Sequence, residues 1–127
     1  MTTLADLDVL IVDDHEAMRS LLSRVLTHAG VAQVRVAADG ADALALLTAR
    51  PAALILADQN MPGMDGLEFI AAVRANAAFG APRIIMVSGQ AGETHADAAH
   101  AAGADAVLMK PVSPRDLLTR IEALFAV

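Results

Sequence analysis

The chain alternates five times between a short apolar run and a stretch of helical periodicity. The first run, Asp8-Val-Leu-Ile-Val-Asp13, is bounded by acids and reads as a strand buried on both faces. Ala17, Met18, Leu21, Leu22, Val25, Leu26 and Ala29 then recur at steps of three and four, predicting an amphipathic helix that Gly30 stops. Gln33–Ala37, with Val34 and Val36, reads as the second strand. Asp39 can cap the next helix, with Ala43, Leu44, Leu46 and Leu47 inward and Pro51 past its end. Ala53-Leu-Ile-Leu-Ala-Asp58 is the third strand, and Met61–Gly66 is a loop punctuated by Pro and Gly. A helix runs from about Leu67 to Asn76, with Leu67, Ile70, Ala71 and Val73 on one side. Pro82–Ser88 is the fourth strand. A loop between Gly89 and Gly92 leads to a weakly amphipathic helix, Glu93–Ala102, which Gly103 ends. Asp105–Met109 is the fifth strand. Ser113 caps the last helix, with Pro114 in its first turn, Asp116 three residues past the cap, and a stripe of Leu117, Leu118, Ile121, Leu124 and Phe125.

Strict β–α alternation predicts the α/β class: one doubly wound (βα)5 domain, a five-stranded parallel sheet with helices on both faces and right-handed crossovers. A length of 127 residues fits one domain, 1–127, with nothing left over for an output domain. Hydrophobic residues make up 56%, too many for a disordered chain. Yet no apolar run approaches the ~20 residues that span a bilayer, so membrane insertion is not expected. The acidic start lacks the basic residues of a signal peptide, which points to the cytoplasm. Cysteine is absent, excluding disulfides, thiolate metal sites and a Cys nucleophile. A net charge of −6 and an aromatic content of 2% argue against nucleic-acid binding, which needs a basic footprint or stacking rings.

In open α/β sheets ligands bind beyond the carboxyl ends of the strands. Those ends carry Asp13-Asp14, Asp58, Ser88 and Lys110. Crowded carboxylates repel one another unless a cation sits among them. Mg²⁺ answers that need, because it takes oxygen ligands and keeps several waters. With metal present, one carboxylate can attack a phosphoryl group and form an acyl phosphate. Lys110 can supply a point charge and Ser88 a hydroxyl to the transferring oxygens. Taken singly, each residue has an ordinary reading. Asp13-Asp14 can be a helix cap, Asp58 a solvated strand end, Ser88 a turn residue and Lys110 a surface lysine. His15, beside the acids, can be a metal ligand, but a solvated first-turn residue is the favoured reading. Acid, acid, hydroxyl and lysine at successive strand ends form a joint pattern that chance explains poorly.

With these residues in place, the sequence resembles a response-regulator receiver domain of the CheY-like kind, over essentially its whole length. The resemblance rests on Val12-Asp13-Asp14, Asp58-Gln-Asn-Met-Pro-Gly-Met-Asp-Gly66, Val87-Ser88 and Lys110-Pro111, and on their spacing. It implies the flavodoxin/CheY-like strand order 2-1-3-4-5 known for this family. It implies that Asp58 is the phosphoacceptor, receiving phosphate from a phosphohistidine on a sensor histidine kinase or a histidine phosphotransfer protein. Asp13, Asp14 and Asp58 would hold Mg²⁺, with the backbone carbonyl of Asn60. Ser88 would hydrogen-bond the phosphoryl group, Lys110 would pair with it, and the Lys110–Pro111 bond would be cis. The first helix would meet the kinase, and the face of the fourth helix, fifth strand and fifth helix would meet a downstream target protein.

Many receivers carry Tyr or Phe three residues before the lysine, and here that position is Val107. Valine is small and stiff at χ1, so an aromatic swing cannot report phosphorylation. The Ser88–Gly92 loop is expected to move instead, with backbone freedom at Gly89 and Gly92. Asn60 and Gln90 are expected near the attacking water. The chain thus reads as a phosphorylation-controlled switch and not an enzyme, beyond loss of its own acyl phosphate. A small Mg²⁺-dependent phosphohydrolase is the enzymatic alternative, disfavoured because Asn60 cannot be a general acid and no cap insertion exists. A phosphorylation-independent pseudo-receiver adaptor is the third reading, disfavoured because every implied site residue is present. Met1 and a helix running to Val127 favour a stand-alone chain over an excised receiver, and a monomer is the default.

Overall fold

The computed structural model describes residues 3–89 and 93–126, of 93–95 the backbone alone. The elements are β1 (Asp8–Val12), α1 (Glu16–His28), β2 (Gln33–Ala37), α2 (Gly40–Ala49), β3 (Leu54–Asp58), α3 (Gly66–Ala75), β4 (Arg83–Ser88), α4 (Glu93–Ala102), β5 (Ala106–Met109) and α5 (Pro114–Phe125). The strands form one sheet in the order β2-β1-β3-β4-β5, with every pairing parallel. This is the doubly wound, flavodoxin/CheY-like architecture expected from the sequence.

The two-residue period of the strands divides the core into two layers. Leu10, Val12, Ile55, Ala57, Ile84 and Met86 face Ala43 and Leu47 of α2, Phe69, Ile70 and Val73 of α3, and Ala99 of α4. Val9, Ile11, Leu54, Leu56 and Ile85 face Leu22 and Leu26 of α1 and Leu117 and Ile121 of α5. Full burial of each of the Val, Leu, Ile, Met and Phe side chains among them stabilises the fold by about 1.5–3 kcal/mol relative to exposure.

Local chemistry sets the helix ends. The Asp39 side chain accepts from the Asp42 N–H at 2.8 Å at the start of α2. At α3 the Asp65 carboxylate accepts from the Glu68 N–H, and Glu68 accepts from the Asp65 N–H, a reciprocal cap. Ser113 accepts from the Asp116 N–H at 3.3 Å, with Pro114 opening α5. Gly30 follows α1 with φ +105°, a conformation that side chains disfavour.

Several details differ from the sequence reading. Short 3-10 turns at Leu4–Asp6 and Ala77–Phe79 were not foreseen. The second is fixed by the Asn76 side chain, which accepts from the Ala78 N–H, and it buries Phe79. On α3 the inward residue is Phe69, fully buried, whereas Ala71 is exposed. On α1 Leu22 and Leu26 are buried with Met18 and Val25 packed against the same layer, whereas Ala17 and Leu21 are exposed. β2 lies at the sheet edge, which leaves Val36 46% exposed.

Register is what builds the functional rim. Val12 pairs with Ala37 and Ala57, Asp58 with Val87, and Ser88 with Met109. The strands therefore end nearly level. Asp13 comes to stand beside Asp58, Gln59 beside Ser88, and Lys110 one step past β5.

Candidate functional site

Asp13 directly follows β1, and its N–H donates to the Ala37 carbonyl at 3.1 Å, extending the ladder by one bond. Its buried carboxylate and its main-chain carbonyl each have a donor. Oδ1 accepts from the His15 N–H at 2.8 Å, and the Asp13 carbonyl accepts from Arg19 Nη1 at 2.8 Å. Asp14 is partly exposed. Asp58 ends β3 with its side chain only 1% exposed. The next residue anchors it, because the Gln59 N–H donates to the Val87 carbonyl and the Gln59 carbonyl accepts from the Gly66 N–H.

That last contact explains the glycine. A Cβ on Gly66 would collide with the Asp58 carbonyl oxygen and stand 2.7 Å from Gln59 Cα. Only glycine lets the start of α3 approach the end of β3 this closely.

Lys110 reaches the same point from β5, with Nζ 3.0 Å from Asp58 Oδ1. The Lys110–Pro111 bond is cis, as the resemblance implied. The Lys110 N–H donates to the Ser88 carbonyl at 2.7 Å, tying the two strand ends together. Ser88 is fully buried, and its hydroxyl donates to Gln59 Oε1 at 2.6 Å.

Ligand atoms of Asp13, Asp14, His15 and Asp58 all lie within 4.8 Å of one another. His15 is the N-cap residue of α1 and is 65% exposed, as a solvated residue would be. Yet its Nδ1 lies 3.2 Å from Asp13 Oδ1 and 3.1 Å from Asp14 Oδ1. Asp14 Oδ1 and both Asp58 oxygens are buried without a hydrogen-bond partner. The Lys110 contact is an ion pair. Buried oxygens normally find donors, so these orphaned ones mark a place for a cation. The three carboxylates offer the oxygen ligands that a hard divalent ion takes, and these residues fit one.

Charge is distributed unevenly along the sheet. At the other rim, Asp8 is paired by Arg35 and Arg50, and Asp105 by Arg74 and Arg83. At the functional rim three carboxylates face the single lysine, since Arg19 bonds a main-chain carbonyl. Burial pushes the Asp58 carboxyl above its ordinary value, and the Asp13 and Asp14 charges push the same way. Lys110 opposes them and does not prevail.

The structure therefore brings together Asp13, Asp14, Asp58 and Lys110 as the sequence predicts. Ser88 is on the rim, but its proton goes to Gln59. Asn60 is exposed in the loop after Gln59. Val107 is half-buried against the α2–α4 side of the core and lines a groove of about 410 Å³ with Met109, Lys110, Pro111 and Asp116. Gln90 and Gly92 lie outside the described residues. Gly89 is described, and it needs no positive φ here. Sequence reasoning missed Gln59 and Arg19. The polar Gln59 directly after a wholly buried strand was the available signal for the first.

The family described as the response regulator receiver domain matches residues 9–122. The chain belongs to that family. This receiver domain is 37% identical over 125 residues to the probable chemotaxis protein CheY of Rhizobium etli, covering 98% of this chain and 97% of that one. Its structure is similar to the chemotaxis response regulator CheY4 of Vibrio cholerae, with a TM-score of 0.87, 35% identity, and coverage of 93% and 98%. It is also similar to a structure of the CheX–CheY–BeF₃–Mg²⁺ complex from Borrelia burgdorferi, with a TM-score of 0.85, 26% identity, and coverage of 94% and 89%. The chain is a phospho-accepting, CheY-like receiver domain of two-component signalling. Among the described residues no helix is long and apolar enough to cross a membrane.

Proposed function

We propose that Asp58 accepts the phosphoryl group, that Asp13, Asp14, Asp58 and the Asn60 carbonyl hold Mg²⁺, and that Ser88 and Lys110 bind the phosphoryl oxygens. The observation that carries this reading is Asp58 itself. It is a buried carboxylate with both oxygens unbonded, beside other acids, with one lysine in reach. The carboxylates of Asp8, Asp39, Asp65 and Asp105 each accept from a donor, and this one is kept open.

The donor is a phosphohistidine on a sensor histidine kinase or a histidine phosphotransfer protein. An Asp58 oxygen attacks phosphorus, forming an O–P bond while the P–N bond to the donor imidazole breaks. The imidazole nitrogen leaves with the electron pair and is protonated by solvent. Lys110 keeps its protons and offsets charge on the transferring oxygens. Mg²⁺, when bound, screens the carboxylates from one another and draws charge from the phosphoryl oxygens. The Val12–Asp13 and Ala57–Asp58 ends hold their positions through the ladder, so the nucleophile is oriented before the donor arrives. The resulting change in charge alters a surface that a downstream target protein reads, including the β5–α5 groove beside Lys110. The work takes place in the cytoplasm, in a monomer.

The competing readings are a phosphohydrolase and an adaptor that needs no phosphate. Incubation with phosphoramidate and Mg²⁺ separates them. One phosphoryl group per chain, with no turnover of phosphomonoesters, supports the receiver reading. Turnover beyond one equivalent would replace it with the hydrolase, and a chain that takes no phosphate would replace it with the adaptor.

A further inference from the structure

Ser88 has one hydroxyl proton, and it is committed. Ser88 Oγ donates to Gln59 Oε1 at 2.6 Å, and both residues are buried. Neither Asp58 oxygen accepts a hydrogen bond, so the proton is not aimed at the carboxylate next door. The Gln59 main chain is fixed on both sides, to Val87 and to Gly66. The Asp58–Val87 pairing sets Gln59 level with Ser88, which makes the side-chain bond a consequence of register.

We propose that Gln59 is a positioning residue that holds the Ser88 hydroxyl away from Asp58 until a phosphoryl group competes for its proton. The proposal rests on the reading of Asp58 as phosphoacceptor. A hydroxyl donates only once. Moving its proton to a phosphoryl oxygen breaks a buried neutral bond and makes a stronger, charge-assisted one. The Gln59 carboxamide then turns over, so that Nε2–H donates to Ser88 Oγ where Oε1 had accepted. The bond is kept and its direction reverses. Gln59 thus sets a threshold against switching. It also carries the state of the site to the β3–α3 junction, in a chain that has Val107 where an aromatic would report.

The test uses trifluoroberyllate with Mg²⁺, a tetrahedral mimic of an aspartyl phosphoryl group. Its affinity is titrated by thermal shift in the wild-type chain, in Gln59→Met, in Ser88→Ala and in the double variant, with Gln59→Leu as a second substitution should methionine disturb packing. Removing the competing acceptor is expected to tighten binding about fivefold, the worth of a typical buried hydrogen bond. With Ser88→Ala the same substitution should change affinity less than about twofold, because the proton in dispute is gone. A purely structural Gln59 would move the melting temperature of the free chain and leave this coupling at zero. Unchanged or weaker binding in both Gln59 variants overturns the proposal, as does an equal effect with and without Ser88. A wild-type chain that binds no mimic overturns the Asp58 reading itself, and this proposal with it.

Discussion

Lys110 Nζ stands 3.0 Å from Asp58 Oδ1, yet one lysine does not neutralise the rim on which Asp58, Asp13 and Asp14 meet. Burial and like charge hold the Asp58 carboxyl above its ordinary value of 3.8. The ionised Asp58 is therefore a local cost to the fold.

That cost has a definite sign. A carboxyl raised in the folded state binds more protons folded than unfolded between its two pKa values, so stability falls as pH rises from 3.8 through the folded value. Asp58→Asn removes the charge and keeps the shape. Without divalent ions, it is expected to raise the melting temperature at neutral pH. The gap should close toward acid, where wild-type Asp58 is protonated too. Thermal unfolding across a pH series checks this, and an Asn variant that is less stable at neutral pH contradicts it.

Lys110→Ala removes the one ammonium at Asp58. Loss of a positioned charge at a developing anion typically costs about 100-fold in rate, and that loss is expected in phosphorylation by a small donor. Lys110→Arg keeps the charge but not the point geometry and should lose less. The chain has no Trp or Tyr to report by fluorescence, so intact mass against time is the suitable measurement. Equal rates for Ala and wild type would remove Lys110 from the site.

Mg²⁺ should stabilise the folded chain, since the acids are gathered only when it is folded. At 100 times its dissociation constant, a ligand of this kind adds about 2.7 kcal/mol. Asp13→Asn and Asp14→Asn are each expected to reduce the shift, whereas sodium at matched ionic strength gives none. A melting temperature indifferent to Mg²⁺ in the wild-type chain contradicts the cation site.

Gly66→Ala tests how the fold supports the chemistry. The added methyl meets the Asp58 carbonyl and Gln59 Cα, both main-chain atoms that cannot step aside. Overpacking of this sort costs about 1–3 kcal/mol, read in denaturant unfolding. The rate of phosphorylation should fall as well, because α3 must back away from the strand end that carries Asp58. Full stability in the alanine variant would show that the junction is slack.

The division between what was legible in the sequence and what was not follows a physical line. Strands buried on both faces write themselves as apolar runs, and Asp13, Asp58, Ser88 and Lys110 declare themselves because they terminate those runs. The caps at Asp39 and Ser113 were readable for a similar reason, since their bonds are local. The Ser88–Gln59 bond was not, because it depends on the register of β3 against β4, which no local pattern encodes. Arg19 was hidden likewise, as its target is a main-chain carbonyl and carries no side-chain signature. Phe69 and Ala71 were exchanged because both are compatible with a helical stripe, and only packing against the sheet chooses between them.

The central claim is that Asp58 carries the phosphoryl group, and intact mass spectrometry tests it most directly. Wild-type chain and Asp58→Asn are incubated side by side with phosphoramidate and Mg²⁺. A single phosphoryl adduct on the wild-type chain, absent when Mg²⁺ is chelated and absent from the Asn variant, is the predicted result. An adduct of equal yield on Asp58→Asn, or none on the folded wild-type chain, would contradict it.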